Sequence, residues 1–367
     1  MNRQKLHHQA DKIEYVLATH KAPARVTGGR VTPRTIQFHV APSATTKVSK
    51  VENLSEEIAL ALNASSARVS RANGQINIEI PRDDIQPLRL LDLCAQVQKD
   101  AAMAQALSVA GTTLLGMAVD GVPLLLRVSA PDVAHVLIAG TTGSGKSEAA
   151  RTMLASLMLY QRPRDVQIII VDPKASEFRH FEHLPHLCCP IIKNVEDAVA
   201  NLEWLVEEMT RRQEQMIVRP RIVLVIDELA DLLMQGGDQV EGYLTRLVQR
   251  GRSAGISVIG CTQKPTASVL GGLVKANFPV RLVGKVTSAN EALVASGVAQ
   301  SGAEKLMGRG DFLLIANGEK IRVQIAHIPA NDYDAFRHRI IGMPQTRNVP
   351  RAIPSQNFVQ AMWERVR

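Results

Sequence analysis

Hydrophobic and polar positions change rhythm near residue 130 of this 367-residue chain. Before that point, RTIQFHVA (34–41) and GQINIEIP (74–81) alternate apolar and polar residues, which predicts strands with one buried face. SEEIALALN (55–63) and LRLLDLCAQV (88–97) place apolar residues at helical spacing. LLGMAVDGVPLLLRV (114–128) reads as a hairpin turning at Asp120-Gly121. The opening stretch MNRQKLHHQADKIEYVL has the pattern of an amphipathic helix. Together these predict a smaller α+β unit over residues 1–128.

Beyond residue 130 the pattern becomes strand–helix alternation. Apolar runs recur at VAHVLIAG, VQIIIVD, RIVLVID, ISVIGCTQ, FPVRLVGKV and GDFLLIA, with long helical patterns between them such as VEDAVANLEWLVEEMTRRQEQM. Continuous Val/Ile runs suit strands buried on both faces of a parallel sheet. The expected organisation is α/β: a core over 129–342 with a central, mostly parallel sheet, and a Pro- and Arg-containing tail over 343–367 closing on a short helix.

Composition narrows the class. Hydrophobic residues make up 46% and charged residues 21%, the balance of a soluble globular protein. No apolar run reaches the ~18 residues that a membrane-spanning helix requires. The N-terminus lacks an apolar signal core, so a cytoplasmic location is expected, with any membrane association made through a partner. Cys94, Cys188, Cys189 and Cys261 fall at no metal-ligand spacing and read as buried thiols in a reducing compartment. The net charge of +8 is 43 basic minus 35 acidic residues, and the surplus sits in residues 1–40 and 347–367. Basic ends favour polyanions such as DNA as well as plain solubility. An aromatic content of 4% argues against a stacking platform for single strands.

Chemistry enters at HVLIAGTTGSGKSEAARTML (135–154). Gly140-Thr141-Thr142-Gly143-Ser144-Gly145-Lys146-Ser147 fits G-x-x-x-x-G-K-[ST] without a mismatch, with an apolar strand before it and a helical pattern after. Glycines let backbone N–H groups approach phosphate oxygens. Lys146 is the candidate for the β/γ-phosphates and Ser147 for Mg²⁺, while the following helix directs its positive end at the same anion. RIVLVIDELADLL ends an apolar strand in Asp227-Glu228. Asp227 can hold Mg²⁺, and Glu228 can orient and deprotonate an attacking water. Gln263, at the end of the next strand, is a candidate γ-phosphate sensor. Arg246, Arg250 and Arg252 are expected on a basic helix before that strand, from which one side chain can reach a neighbouring subunit's ATP. The two carboxylates and the lysine loop together point to a Mg-dependent ATPase with a P-loop, RecA-like core.

HVLIAGTTGSGKSEA, VDPKASEF, LEWLVEEMTRR, VLVIDELADLL, VQRGRSAGISVIGCTQKP, LVKANFPVRL and SGAEKLMGRGDFLL, in that order, resemble the FtsK/SpoIIIE-type DNA translocases over most of 130–327. Residues 20–128 look like the α-subdomain that precedes the motor in that family. The resemblance implies a hexameric ring that hydrolyses ATP at subunit boundaries and pumps double-stranded DNA through its pore. It also implies that Arg252 is a trans-acting finger and that Lys264 and Lys275 lie on a loop touching DNA phosphates. The sequence departs from the family in lacking its membrane segments, long linker and C-terminal winged helix. Ser288-Ala289 stands where a serine–lysine pair is usual, which implies one basic pore contact fewer. These departures suggest a stripped motor serving a mobile element, conjugation or a phage. An alternative is a coupling ATPase for conjugation or secretion, acting on single-stranded DNA or protein. A purely nucleotide-binding assembly protein is the third reading, and Glu228 speaks against it.

Overall fold

The computed structural model describes residues 3–32, 35–72, 74–84, 87–265, 272 and 277–342. The expected tail over 343–367 lies outside them. The chain forms two compact units, Met1–Pro87 and Leu88–Arg367.

In the first unit, helix α1 (Arg3–Thr19) buries Ile13, Val16 and Leu17, as its amphipathic pattern requires. Strands β1 (Ala24–Val31) and β2 (Thr35–Pro42), helices α2 (Val48–Glu52) and α3 (Ser55–Ala61), and strands β3 (Arg68–Ala72) and β4 (Gln75–Pro81) follow. The strands form an antiparallel sheet in the order β1-β2-β4-β3. Period-two alternation explains its core: Ile36, Phe38 and Val40 of β2 and Ile76, Ile78 and Ile80 of β4 are all buried.

The second unit begins earlier than the pattern predicts. After α4 (Leu90–Val97) and α5 (Ala101–Ser108), the hairpin β5 (Thr112–Ala118) and β6 (Pro123–Arg127) does turn at Asp120-Gly121, but it joins the large sheet. The expected boundary at 128 therefore moves to Pro87/Leu88. The cause is a distant partner, since β5 pairs with a strand near residue 325. The remaining elements are β7 (Val136–Ala139), α6 (Lys146–Tyr160), β8 (Val166–Val171), α7 (Val195–Glu214), β9 (Arg221–Ile226), α8 (Leu229–Arg250), β10 (Ile256–Thr262), β11 (Val280–Val283), α9 (Ala289–Ser296), β12 (Asp311–Ala316), β13 (Glu319–Ile325) and α10 (Tyr333–Ile341).

Among the described residues the sheet has nine strands in the order β6-β5-β13-β12-β11-β7-β10-β9-β8. The pairings from β11 to β8 are parallel, and those from β6 to β11 are antiparallel. The sheet is thus mixed: five of the six apolar runs make its parallel half, while GDFLLIA forms β12, antiparallel to both β11 and β13. Successive residues serve opposite faces: Ile168 and Ile170 pack with Met153 and Leu157 of α6, while Ile169 and Val171 pack with Leu202 of α7 and Leu232 of α8. The chain leaves β7 for β8 on one side and later returns to β11 on the other, so the C-terminal tip of β7 is a topological switch point.

Buried His135, just before β7, accepts a hydrogen bond at Nδ1 from the Val258 N–H at 3.1 Å. Burial pushes its pKa down from 6.5 to about 4. As pH falls from about 6.5 to about 4, the unfolded chain takes up a proton that the folded chain resists. The stabilisation present above that window is therefore lost on acidification, by on the order of 3 kcal/mol. Buried His186 shifts in the same direction through burial. His135→Asn keeps an acceptor and removes the titration, so melting temperature measured between pH 7 and 4.5 should fall less steeply in that variant.

Candidate functional site

The site forms where β7, β9 and β10 end side by side. β7 runs into Gly140, and the loop returns as α6 with Gly145 at its cap in a left-handed conformation, φ 100°. A Cβ on Gly145 would stand 2.6 Å from the Gly310 nitrogen, so only glycine fits. A Cβ on Gly140 would stand 2.6 Å from Ser144 Oγ. The loop is stitched to both sides of the sheet. Gly140 N donates to the Thr262 carbonyl at 3.1 Å, and Thr141 N donates to the Lys285 carbonyl at 2.9 Å. Thr141 Oγ1 donates to that same carbonyl at 3.0 Å.

At the start of α6 the N–H groups of Gly145, Lys146 and Ser147 take no backbone acceptor among the described residues. These donors and the helix dipole suit an anion. Ser147 is half-buried on the first turn.

Lys146 is buried, at 4% exposure. Its Nζ donates to the Asp227 carbonyl at 2.8 Å and lies 3.5 Å from both Asp227 Oδ1 and Glu228 Oε2. Burial alone would lower the ammonium's pKa, and the carboxylates Asp227 and Glu228 oppose that and favour the charged form. Cys261 lies nearby, yet burial pushes its thiol well up, so it stays neutral and adds no charge. Asp227 is raised from the ordinary carboxylate range by burial first, then by Asp172, Glu177 and Glu228, with Lys146 opposing. Its Oδ1 has no hydrogen-bond partner among the described residues. A buried carboxylate so placed, with an oxygen that accepts no hydrogen bond and further carboxylates around it, fits a divalent cation.

Glu228 is buried, and its Oε1 accepts from the Gln263 N–H at 3.0 Å. Gln263 Oε1 in turn accepts from Thr142 Oγ1 at 3.2 Å. The structure therefore brings Gly140–Ser147, Asp227, Glu228 and Gln263 together at one end of the sheet.

The remaining candidates stand elsewhere. Arg246 and Arg250 lie on α8 as expected, but the helix ends at Arg250, where Gly251 follows, and Arg252 is exposed in a short turn (Gly251–Ala254) before β10, at the end opposite the loop. The strand between them spans about 20 Å, so Arg252 cannot reach its own subunit's loop. Arg250 bonds Gln213 Oε1 at 3.0 Å. Lys264 is exposed just past the tip of β10, and Lys275 lies outside the described residues. Ser288 caps α9 by accepting from the Glu291 N–H at 3.2 Å. Two neighbours of the site were not among the predicted site residues: the Lys285 carbonyl, which no side-chain pattern announces, and buried Asp172 at the tip of β8, which lies within the VDPKASEF motif. Asp172 Oδ2 accepts from the Glu177 and Phe178 N–H groups, while its Oδ1 has no hydrogen-bond partner among the described residues.

A lysine loop at a sheet switch point, with paired carboxylates on a neighbouring strand tip, defines a P-loop NTPase of α/β fold. Solved structures agree on the fold. The pCW3 conjugation coupling protein TcpA, determined with ATPγS, matches with TM-score 0.61 at 19% identity, over 90% of this chain and 98% of that one. The cytoplasmic domain of the Thermomonospora curvata type VII secretion ATPase EccC matches with TM-score 0.57 at 24% identity, over 67% of this chain and 32% of that one.

The FtsK/SpoIIIE family model matches residues 100–218 and 215–267, and the FtsK alpha domain model matches residues 1–82. DNA translocase FtsK of Staphylococcus epidermidis is 32% identical over 342 residues, covering 85% of this chain and 42% of the relative. DNA translocase SftA of Bacillus subtilis is 33% identical over 365 residues, covering 92% of this chain and 37% of the relative. The chain belongs to the FtsK/SpoIIIE family. It spans less than half the length of either relative. Among the described residues no helix is long and apolar enough to cross a membrane.

Proposed function

We propose that this chain is the motor portion of an ATP-driven double-stranded DNA translocase that works as a ring of six subunits. The observation that carries the reading is Lys146 placed between the loop and the Asp227–Glu228 pair, in a chain whose relatives are DNA translocases.

Loop N–H groups and Lys146 would bind the β- and γ-phosphates. Ser147 and Asp227 would hold Mg²⁺, which would draw charge from the phosphates when bound. Glu228 would take the proton of the attacking water, with its carboxylate aimed by the Gln263 N–H. Gln263, bonded to Thr142 of the loop, would register whether a γ-phosphate is present. Arg252, too far to act in its own subunit, would complete a neighbour's site. Each site would then span two protomers, which makes hydrolysis dependent on the ring. Lys264 and Lys275 would grip the duplex through phosphates, independent of sequence.

ATP hydrolysis measured with linear duplex, single strands and no DNA tests the reading. Duplex should stimulate most. Stronger stimulation by single strands would favour a coupling ATPase acting on single-stranded DNA instead, and no stimulation by either would contradict the translocase reading and leave only a coupling ATPase whose substrate is protein. Lys264→Ala combined with Lys275→Ala should keep basal hydrolysis and lose the duplex stimulation; normal stimulation in that variant would remove the loop assignment.

A further inference from the structure

The phosphate loop is gripped from one side by a turn that belongs to the antiparallel wing of the sheet. Gly308, Arg309 and Gly310 all have positive φ, at 75°, 50° and 88°. Asp311 N donates to the Gly308 carbonyl at 3.1 Å, closing a tight turn of the kind that requires positive φ at both central residues. Arg309 is the one non-glycine in it, and an L-side chain there is held against its preference.

The turn is braced from behind. Arg322 of β13 makes a two-pronged ion pair with buried Asp311, Nε to Oδ1 at 2.8 Å and Nη2 to Oδ2 at 2.9 Å. Asp311 Oδ2 also accepts the Met307 N–H at 2.9 Å, and Ile325 N donates to the Gly310 carbonyl at 2.8 Å.

From this fixed position two N–H groups reach the loop: Arg309 N donates to the Gly143 carbonyl at 2.9 Å, and Gly310 N to the Ser144 carbonyl at 2.7 Å. In a trans peptide the C=O and N–H point in opposite directions. Holding the Ser144 carbonyl toward Gly310 therefore turns the Gly145 N–H the other way, and that N–H has no backbone acceptor among the described residues. Holding the Gly143 carbonyl likewise fixes the Ser144 N–H, which donates to the Thr141 carbonyl at 3.0 Å and closes the loop on itself.

We propose that the Gly308–Arg309–Gly310 turn is a positioning element of the nucleotide site: its backbone N–H groups hold the Gly143 and Ser144 carbonyls so that the loop's own donors face the phosphates before nucleotide arrives. The inference rests on the ATP-binding reading above. Preorganised donors bind without first reorienting, so the turn contributes to affinity for the triphosphate. The effect at residue 309 is assigned to its left-handed backbone.

A substitution series separates backbone from side chain. ATPγS binding is titrated by calorimetry for the wild type, Arg309→Gly, Arg309→Asn and Arg309→Val, with the melting temperature of each nucleotide-free protein. Gly and Asn adopt positive φ readily and should bind within about twofold of wild type, whereas β-branched Val should bind about tenfold more weakly. In turnover the Val effect should fall on KM and leave kcat within about threefold. Gly308→Ala is the second variant, because its Cβ would stand 3.2 Å from the Gly143 carbonyl and push on the loop itself; it should also weaken binding.

Val binding as tightly as wild type while melting lower would make the turn a structural brace only, and overturn the proposal. Gly and Asn weakening binding as much as Val would assign the effect to the guanidinium, and overturn it equally. Wild-type protein that does not bind ATPγS would instead sink the nucleotide reading, and the proposal with it.

Discussion

Replacing Glu228 with Gln should lower ATP turnover by about 10²–10⁴ while ATPγS still binds within about threefold of wild type. The substitution is nearly isosteric and keeps an oxygen to accept the Gln263 N–H, which now bonds Oε1 at 3.0 Å. Lys146 keeps its 2.8 Å bond to the Asp227 carbonyl. What disappears is the negative charge that would take a proton from water. A loss confined to the chemical step is therefore expected, with phosphate binding by the loop preserved. Turnover within tenfold of wild type would show that another group is the base. Buried Asp172, with an unpartnered Oδ1 on the adjoining strand tip, would then be the first residue to substitute.

The second large effect concerns Arg252. Its position at the far end of β10 puts it beyond reach of its own loop, so Arg252→Ala should retain ATP binding and lose hydrolysis by about 10³–10⁵. Lys146→Ala should fail for the opposite reason, with its loop damaged and its finger intact. Mixing the two inactive proteins in equal amounts would create boundaries where an intact loop meets an intact arginine. Random assembly makes these about a quarter of all boundaries, so activity should return toward that fraction. Two inactive proteins that stay inactive when mixed, in a ring shown to exchange subunits, would remove Arg252 from the neighbour's site.

The parallel half of the large sheet and most of its chemistry were legible because burial on both faces demands unbroken Val/Ile runs. RIVLVID and ISVIGCTQ leave no other reading, and their polar ends fall where a switch point places ligands. The antiparallel wing was harder. β13 reads EKIRVQI, charged and unremarkable alone, and it becomes a strand by pairing with β12 and with distant β5. That same long-range pairing drew the hairpin of residues 112–127 into the second unit and displaced the expected boundary. β1, with Gly28-Gly29 in an edge strand and a register shift beside them, also lacks an alternating pattern. What Lys285 and Gly308–Gly310 offer the loop are backbone atoms, which any residue carries. Side-chain chemistry can be read from a sequence; a carbonyl placed by a neighbouring strand cannot.

Movement along DNA is tested most directly by displacement of a third strand from a linear duplex, followed by fluorescence. With ATP and Mg²⁺ the wild type should release the third strand at a delay that lengthens with its distance from the duplex end, and Lys146→Ala should release none. Release that ignores that distance, or that proceeds equally well in Lys146→Ala, would contradict a motor driven by this nucleotide site.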